Sequence, residues 1–289
     1  MKTLPRWVHV LFFISLALIP VEAWGESSPP PTWQLSANPS YSRGDYGTKT
    51  TTSVFYLPFA VKRLFSFGEL SVTVPFVSIT SDGSVTFVGG DRSGGGGSNS
   101  GSGSSNSGSG NSGNTEDDDQ VTTKKKKTEN GLGDITLSGR YYLIDEQDWI
   151  PSLNLTGRVK FPTADEDRGL GSGEFDGGFG GEIAKSLTRD LILYLDGGYT
   201  FLGDPKGRDF RNQWNYDVGL GYYLTDDLRA SVFYEEYRAV VSGIPNPRDI
   251  YADLNYRITT AIRVNAGGFV GLSDSAADFG FSGGIRFRF

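Results

Sequence analysis

Apolar and polar residues alternate along most of the chain after its first 31 residues. In one clear segment Trp214, Tyr216 and Val218 alternate with Asn215 and Asp217. Because successive side chains of a β-strand point to opposite faces, such a segment has one apolar and one polar face. The same pattern predicts twelve strands, at 32–42, 50–61, 69–79, 134–143, 150–161, 174–186, 191–202, 213–224, 228–240, 250–258, 261–272 and 278–289. It is weakest in the third strand, where it slips at 76–79.

Twelve strands of this kind predict an all-β fold, a 12-stranded antiparallel transmembrane β-barrel of the outer-membrane type. A closed barrel satisfies every backbone hydrogen bond in lipid and needs an apolar face outside and a polar face inside. A soluble β-sandwich is the alternative, but its apolar faces would have to form one interior core. The predicted apolar faces instead place aromatic residues at two rims, as expected at membrane interfaces. We assign Trp33, Phe161, Phe175, Phe201 and Trp214 to one rim, and Trp149, Tyr222 and Phe289 to the other.

The connections alternate between short and long. Those after even-numbered strands are short, at 62–68, 145–149, 188–190, 225–227 and 259–260, whereas those after odd-numbered strands include 83–133, 162–173, 203–212 and 241–249, with shorter members at 43–49 and 273–277. Outer-membrane barrels have short periplasmic turns and longer extracellular loops. We therefore expect the first strand to start in the periplasm.

The N-terminus predicts export. Lys2 and Arg6 precede the apolar stretch 8–19, and small-x-small patterns follow it, which is typical of a cleaved secretory signal. We expect a signal peptide at 1–25 and a single barrel at 26–289, located in the outer membrane of a Gram-negative bacterium. An N-terminal membrane helix is the alternative, but the apolar run is shorter than the roughly 20 residues that a spanning helix needs.

One long connection has a composition unlike the rest. Residues 84–130 are rich in Gly and Ser and carry an acidic run at 116–119 and a lysine run at 124–127. Such a segment cannot bury enough apolar surface to fold, so we expect a disordered extracellular loop. It could trap cations, contact lipopolysaccharide or act as a solvated spacer.

Little catalytic chemistry is available. The only histidine, His9, lies in the predicted signal peptide, and the chain has no cysteine. We therefore expect no enzyme, with no catalytic residue, no cofactor and no metal site. The net charge of -7 argues against nucleic acid as a partner.

The predicted inward face is polar and of mixed charge. Its charged members are Arg140, Arg158, Lys160, Glu182, Asp196, Asp217, Arg229, Glu235, Asp253, Arg257, Arg263, Arg286 and Arg288. The arginines at 257, 263, 286 and 288 are expected near the periplasmic mouth. They could favour anions, or they could pair with Asp253 and other carboxylates to rigidify the wall.

A second set of inward residues is aromatic: Tyr142, Tyr194, Tyr223, Phe233, Tyr237, Tyr251 and Phe269. These rings could form a path for apolar or aromatic solutes, or they could fill space, because twelve strands lie between the small filled barrels and the open porins. Glycine doublets at 177–178, 197–198, 267–268 and 283–284 are expected to let the sheet coil sharply enough to close.

The last strand ends on an aromatic residue. Phe281, Ile285, Phe287 and Phe289 share its apolar face. This resembles the closing strand of bacterial outer-membrane barrels, in which the terminal Phe and the apolar residues before it are read by the barrel-assembly machinery. The resemblance implies the same partner here, beside outer-membrane lipid and lipopolysaccharide.

Three short motifs point to a family. They are Gly131-Leu-Gly-Asp134, Val159-Lys-Phe-Pro-Thr163 and Gly169-Leu-Gly-Ser-Gly173. Their order resembles the outer-membrane β-barrel family named for transporters of the meta-pathway of phenol degradation, although Ala164 replaces the usual glycine and the Gly/Ser tract is not a feature of that family. The resemblance implies uptake of hydrophobic or aromatic compounds. We expect a passive pore or transporter for small molecules; a non-conducting structural or surface-interaction barrel is the alternative.

Overall fold

Fourteen strand segments form one antiparallel sheet in the computed structural model, which describes residues 32–48, 50–82, 126–205 and 209–289. The segments are β1 (Thr32–Ala37), β2 (Ser40–Gly44), β3 (Thr52–Phe65), β4 (Gly68–Ser81), β5 (Lys127–Leu132), β6 (Ile135–Ile144), β7 (Ser152–Phe161), β8 (Asp176–Ser186), β9 (Leu191–Phe201), β10 (Gln213–Tyr223), β11 (Leu228–Tyr237), β12 (Arg248–Arg257), β13 (Ile262–Gly271) and β14 (Phe279–Arg288). Among these described residues, no helix is long and apolar enough to cross a membrane.

Two pairs of segments are single strands with a break. β1 and β2 both pair with β3 and with β14, on either side of Asn38 and Pro39. Proline has no N–H to donate to a neighbouring strand, which accounts for this interruption. β5 and β6 both pair with β4 around Gly133 and Asp134. The sheet thus has twelve crossings, and the pairing of the first with the last closes it, which confirms the predicted barrel.

The connections divide the barrel into two ends. We call one the short-turn end, because β3–β4, β6–β7, β8–β9, β10–β11 and β12–β13 are joined there by brief turns. The other is the long-loop end. Trp33 exchanges two backbone hydrogen bonds with Phe289, of 2.8 and 2.9 Å, so both lie at the short-turn end. Our assignment of Trp33 to the opposite rim was wrong, because an even number of antiparallel strands brings the first and last residues to the same end.

The structure corrects two further details. Residues 127–130 belong to β5 and pair with β4, so the predicted disordered loop extended too far. A strand made of polar residues forms there because its backbone is paired and Thr80 shares a side-chain hydrogen bond with Thr128. The remainder of that loop at 84–125 lies outside the described residues, as does the predicted signal peptide.

β4 shows no slip at 76–79. Its inward positions continue through Val77 and Ile79, which are 0% and 3% exposed. The apparent slip arose because this part of the barrel interior is apolar, so the hydrophobic residues at 76–79 lie on both faces of the strand.

The two faces of the sheet differ as the alternation predicts. Large apolar side chains such as Phe179, Leu195 and Val218 are exposed on the outside, while their neighbours Asp196 and Asp217 are buried inside. Aromatic rings lie on the outer face near both ends, with Phe161 and Phe175 edge to face at the long-loop end and Phe287 and Phe289 stacked at the short-turn end. The exterior therefore presents an apolar band with aromatic edges, as in membrane barrels.

Candidate functional site: the barrel interior

A row of carboxylates crosses five neighbouring strands on the inner face. Each strand from β8 to β12 contributes one carboxylate, and each carboxylate is the direct cross-strand neighbour of the next. In strand order they are Glu182, Asp196, Asp217, Glu235 and Asp249. All five side chains are buried. We had placed the first four inside. Asp249 we left outside the predicted strand, although its spacing from Tyr251 and Asp253 continues the inward alternation.

Arg140 of β6 joins this row to Glu69 of the neighbouring strand β4. Its Nη2 lies 2.7 Å from Glu182 and its Nη1 lies 2.6 Å from Glu69. Lys62 lies 2.5 Å from the same oxygen of Glu69. We had assigned both Lys62 and Glu69 no role, because one fell in a predicted turn and the other began a strand. Continuing the even-numbered inward positions of β3 would have identified Lys62.

A second row is basic and lies near the short-turn end. Arg257, Arg263 and Arg286 occupy directly opposite positions on β12, β13 and β14. Arg286 is buried, Arg263 is half-buried, and Arg288 farther along β14 is exposed. The sequence left open whether these arginines form a basic patch or pair with carboxylates. The structure shows features of both arrangements.

Several of these basic residues have acidic neighbours. Arg257 donates from Nε to Asp227 of the adjoining turn at 2.6 Å. Arg229 and Arg286 act electrostatically on Asp253, and Arg229 also donates to the hydroxyl of Tyr194 at 2.9 Å. The basic row therefore includes both a rim ion pair and a buried arginine that acts electrostatically on Asp253.

The three sequence motifs meet at the long-loop end. Lys160 lies 3.2 Å from Asp134 and 2.6 Å from Asp176, and it donates to Ser172 at 2.6 Å. Asp134 accepts 3.0 Å hydrogen bonds from the backbone N–H groups of 163 and 164. A Cβ at Gly171 would lie 2.7 Å from the Asp134 carboxylate, so only glycine fits there. Lys160 is thus enclosed by acidic and hydroxyl groups.

This arrangement holds loop 162–175 against the interior. Leu170 of the loop is buried in an apolar cluster with Val54, Tyr56, Val77 and Ile79. The inner wall formed by β3 and β4 is therefore covered with side chains at this level.

Most of the predicted inward aromatic residues form another cluster. Tyr194, Phe233, Tyr251 and Phe269 are buried together with Tyr46 of the β2–β3 loop. The Tyr194 and Phe233 rings are 5.7 Å apart, and those of Phe233 and Tyr251 are 6.4 Å apart. We call these five residues the aromatic cluster.

The other predicted aromatic residues lie apart from this cluster. Tyr237 is buried beside Glu235, to which its hydroxyl donates at 3.2 Å. Tyr142 and Tyr223 are half-buried, and Tyr142 lies 3.5 Å from Glu69. These three residues contribute hydroxyl groups to the polar part of the interior.

Between the two apolar clusters, the wall from β7 to β10 is polar and rich in glycine. Gly178, Gly180 and Gly198 are its inward glycines, and around them lie Thr156, Arg158, Thr200 and Asn215. These seven residues are among those that line a shallow depression in the inner wall. We call it the glycine groove.

The predicted assembly signal lies on the outer face. Phe281, Ile285, Phe287 and Phe289 are all exposed on β14. Within the described parts of the chain, no group of three or more His, Cys, Asp or Glu residues is arranged to hold a metal ion.

Comparison with known proteins agrees with this architecture. The model of the family described as "Putative MetA-pathway of phenol degradation" matches residues 65–289. The COG4313 outer membrane channel from Pseudomonas putida F1 superposes with a TM-score of 0.58 at 12% identity, covering 94% of this chain and 100% of that one. No curated protein matches the chain.

Two porins are similar at lower scores. The KdgM porin, solved in complex with disordered oligogalacturonate, gives a TM-score of 0.50 at 8% identity, and the NanC porin gives 0.50 at 12% identity. Each comparison covers 88% of this chain and 98% of the porin. The fold is thus shared with outer-membrane channels and porins, which are not enzymes.

Proposed function

We propose that this chain, which belongs to the family described as "Putative MetA-pathway of phenol degradation", is a passive channel of the bacterial outer membrane for small molecules. The apolar band on its exterior supports contact with lipid, and the long-loop end would meet lipopolysaccharide. The exposed apolar face of β14 supports recognition by the barrel-assembly machinery.

The observation that carries this proposal is the charged interior. Acidic and basic side chains line the inner face from Lys160 near the long-loop end to Arg286 near the short-turn end. Burying ion pairs costs desolvation free energy, and apolar replacements are often more stable. A barrel that served only as a scaffold would be more stable with an apolar filling, so the charged interior supports a role in the passage of polar solutes.

The family resemblance implied hydrophobic or aromatic solutes. The inward rings of Tyr194, Phe233 and Tyr251 contact one another in the aromatic cluster, which supports a space-filling role. We therefore propose passage of small molecules without assigning it to aromatic compounds.

Conductance separates the channel from the alternative, a non-conducting structural or surface-interaction barrel. Refolded protein would be inserted in planar bilayers, with and without residues 89–125, a deletion that leaves β5 intact. We expect stepwise ionic currents from both forms. Absence of current and of solute flux in either form would exclude the channel and favour the structural barrel.

A further inference from the structure

We propose that small hydrophilic solutes cross the barrel along the glycine groove of β7–β10, and not past the aromatic cluster. This inference rests on the proposed channel function and specifies its path and its class of solute. It is carried by the placement of glycines, polar side chains and apolar clusters around the inner wall.

The floor of the groove is backbone. A Cβ at Gly180 would lie 2.7 Å from the carbonyl oxygen of Gly197, and one at Gly178 would lie 3.0 Å from that of Tyr199. Side chains at these inward positions would collide with the neighbouring strand, which curves closely there. Glycine is therefore required at these positions, and polar side-chain atoms of Thr156, Arg158 and Thr200 lie close over them.

The rim of the groove supplies hydrogen-bonding groups. Thr156 and Thr200 contribute hydroxyls, Asn215 an amide and Arg158 a guanidinium, whose Nη2 donates to Thr200 at 2.9 Å. Donors and acceptors on a pore wall can replace the water around a polar solute as it moves. An apolar solute would instead leave these groups without partners, which costs free energy.

The groove continues in register toward both ends. Toward the long-loop end, Lys160 is directly opposite Asp176, two positions beyond Arg158 and Gly178. Toward the short-turn end, Glu182 is directly opposite Asp196, two positions beyond Gly180 and Gly198. Polar side chains therefore continue beyond the glycines in both directions along the inner wall.

The neighbouring sectors are filled. On the side of β9–β13, Tyr194, Phe233, Tyr251 and Phe269 are buried against one another. On the side of β3 and β4, Leu170 closes the cluster formed with Val54 and Val77. The inner wall is thus apolar on these two sides, whereas the glycine groove is polar.

Single cysteines can test this path because the chain contains no cysteine. We would introduce Thr156→Cys in the groove, and Thr73→Cys as a matched control at an inward position of β4 that is 2% exposed. The reagent is 2-sulfonatoethyl methanethiosulfonate, which forms a mixed disulfide with the thiol and releases methanesulfinate. Labelling would be measured by mass, KCl current in planar bilayers, and glycine uptake by liposome swelling.

We expect Thr156→Cys to be labelled and its current and glycine flux to fall by at least half, with recovery after reduction. Thr73→Cys should remain unlabelled and unchanged. Full labelling of Thr156→Cys with unaltered current, or no labelling while the protein conducts, would overturn the path. If Thr156→Cys does not fold, Asn215→Cys takes its place with the same expected results.

The test also separates this inference from the proposed function. A wild-type protein that folds but passes neither ions nor glycine would refute the channel itself. A wild-type protein that conducts, combined with a labelled groove that does not affect conduction, would refute only the path.

Discussion

The Nζ atom of Lys160 lies 2.6 Å from a carboxylate oxygen of Asp176, its direct neighbour across β7 and β8. Asp134 lies on the other side of the same ammonium group at 3.2 Å and also binds the backbone at the start of loop 162–175. One buried cation thus connects two strands to the loop that covers the β3–β4 wall.

Replacing Lys160 by an uncharged residue should lower the free energy of unfolding. In Lys160→Met two buried carboxylates lose their counter-charge, and breaking a buried pair in this way typically costs about 3–5 kcal/mol. We expect a correspondingly lower free energy of unfolding in urea, and faster tryptic cleavage after Arg168 as the loop is released.

Lys185→Met is the matched control for Lys160→Met. Lys185 pairs with Glu146 at 2.9 Å, but both side chains are partly exposed, and such pairs contribute up to about 1 kcal/mol. Equal losses of stability in the two variants would contradict the role assigned to Lys160.

The basic row should influence which ions pass. Arg286→Glu combined with Arg288→Glu reverses two charges at the short-turn end and should shift the preference toward cations, because like charges are repelled from a narrow entrance. Reversal potentials in a KCl gradient measure this shift, which should weaken as salt screens the charges.

Arg189→Glu provides the control for this charge reversal. Arg189 is exposed in the β8–β9 turn at the same end of the barrel. Its substitution should change the reversal potential little. If the double variant leaves the reversal potential where it is in the wild type, the basic row does not contribute to ion preference.

Phe289 should have two separate roles: its ring should act in assembly in cells, and its backbone should act in closure of the barrel. Phe289 makes two backbone hydrogen bonds to Trp33, and its exposed ring stacks on Phe287. Phe289→Ala keeps the hydrogen bonds and removes the ring, so it should reduce assembly in cells while refolding in vitro remains near wild type.

Deleting residue 289 removes the hydrogen bonds as well. This shortened chain should be impaired both in cells and in vitro, and heat-modifiable mobility on gels reports the folded fraction in each case. Normal assembly of Phe289→Ala in cells would show that the assembly machinery does not require the ring.

The β6–β7 turn should make a small pH-dependent contribution to stability. Partial burial favours the neutral form of Glu146, but hydrogen bonds from Lys185 and Ser186 outweigh it and hold the pKa of Glu146 below its ordinary value of 4.5. A carboxyl whose pKa is lowered on folding stabilises the protein above its unfolded-state pKa. That stabilisation is lost as the pH falls through the lowered folded-state value.

Glu146→Gln removes this titration. The difference in unfolding free energy between wild type and variant should be below about 1 kcal/mol at neutral pH and should shrink under acidic conditions. Urea unfolding at a series of pH values below 7 measures it. A difference that is independent of pH would contradict the assigned hydrogen bonding.

Sequence alternation predicted the barrel because strand periodicity is local. Asp196 and Asp217 were placed inside, and Val218 outside, from position alone, since one residue along a strand changes the face. The failures came where local rules are incomplete: Trp33 was assigned to the wrong rim, and the inward residues Val77 and Ile79 appeared as a slip in the pattern.

Register and loop placement required the tertiary structure. Spacing along the chain indicates which face Glu182 and Asp249 occupy. It does not show that they are the two ends of one row of carboxylates, because the stagger between strands depends on closure of the whole sheet. Likewise, the motifs around Asp134, Lys160 and Gly171 were recognisable as sequence, yet their contact is non-local.

The sequence by itself therefore determined the strand faces, the even strand number and the alternation of short and long connections, all of which follow from the chemistry of neighbouring residues. Only the tertiary structure decided how the interior is divided. Close approach of distant strands packs Tyr194 against Phe233, packs Leu170 against Val77, and leaves no room for a side chain at Gly180. These relationships depend on curvature and register, which no single segment of the chain specifies.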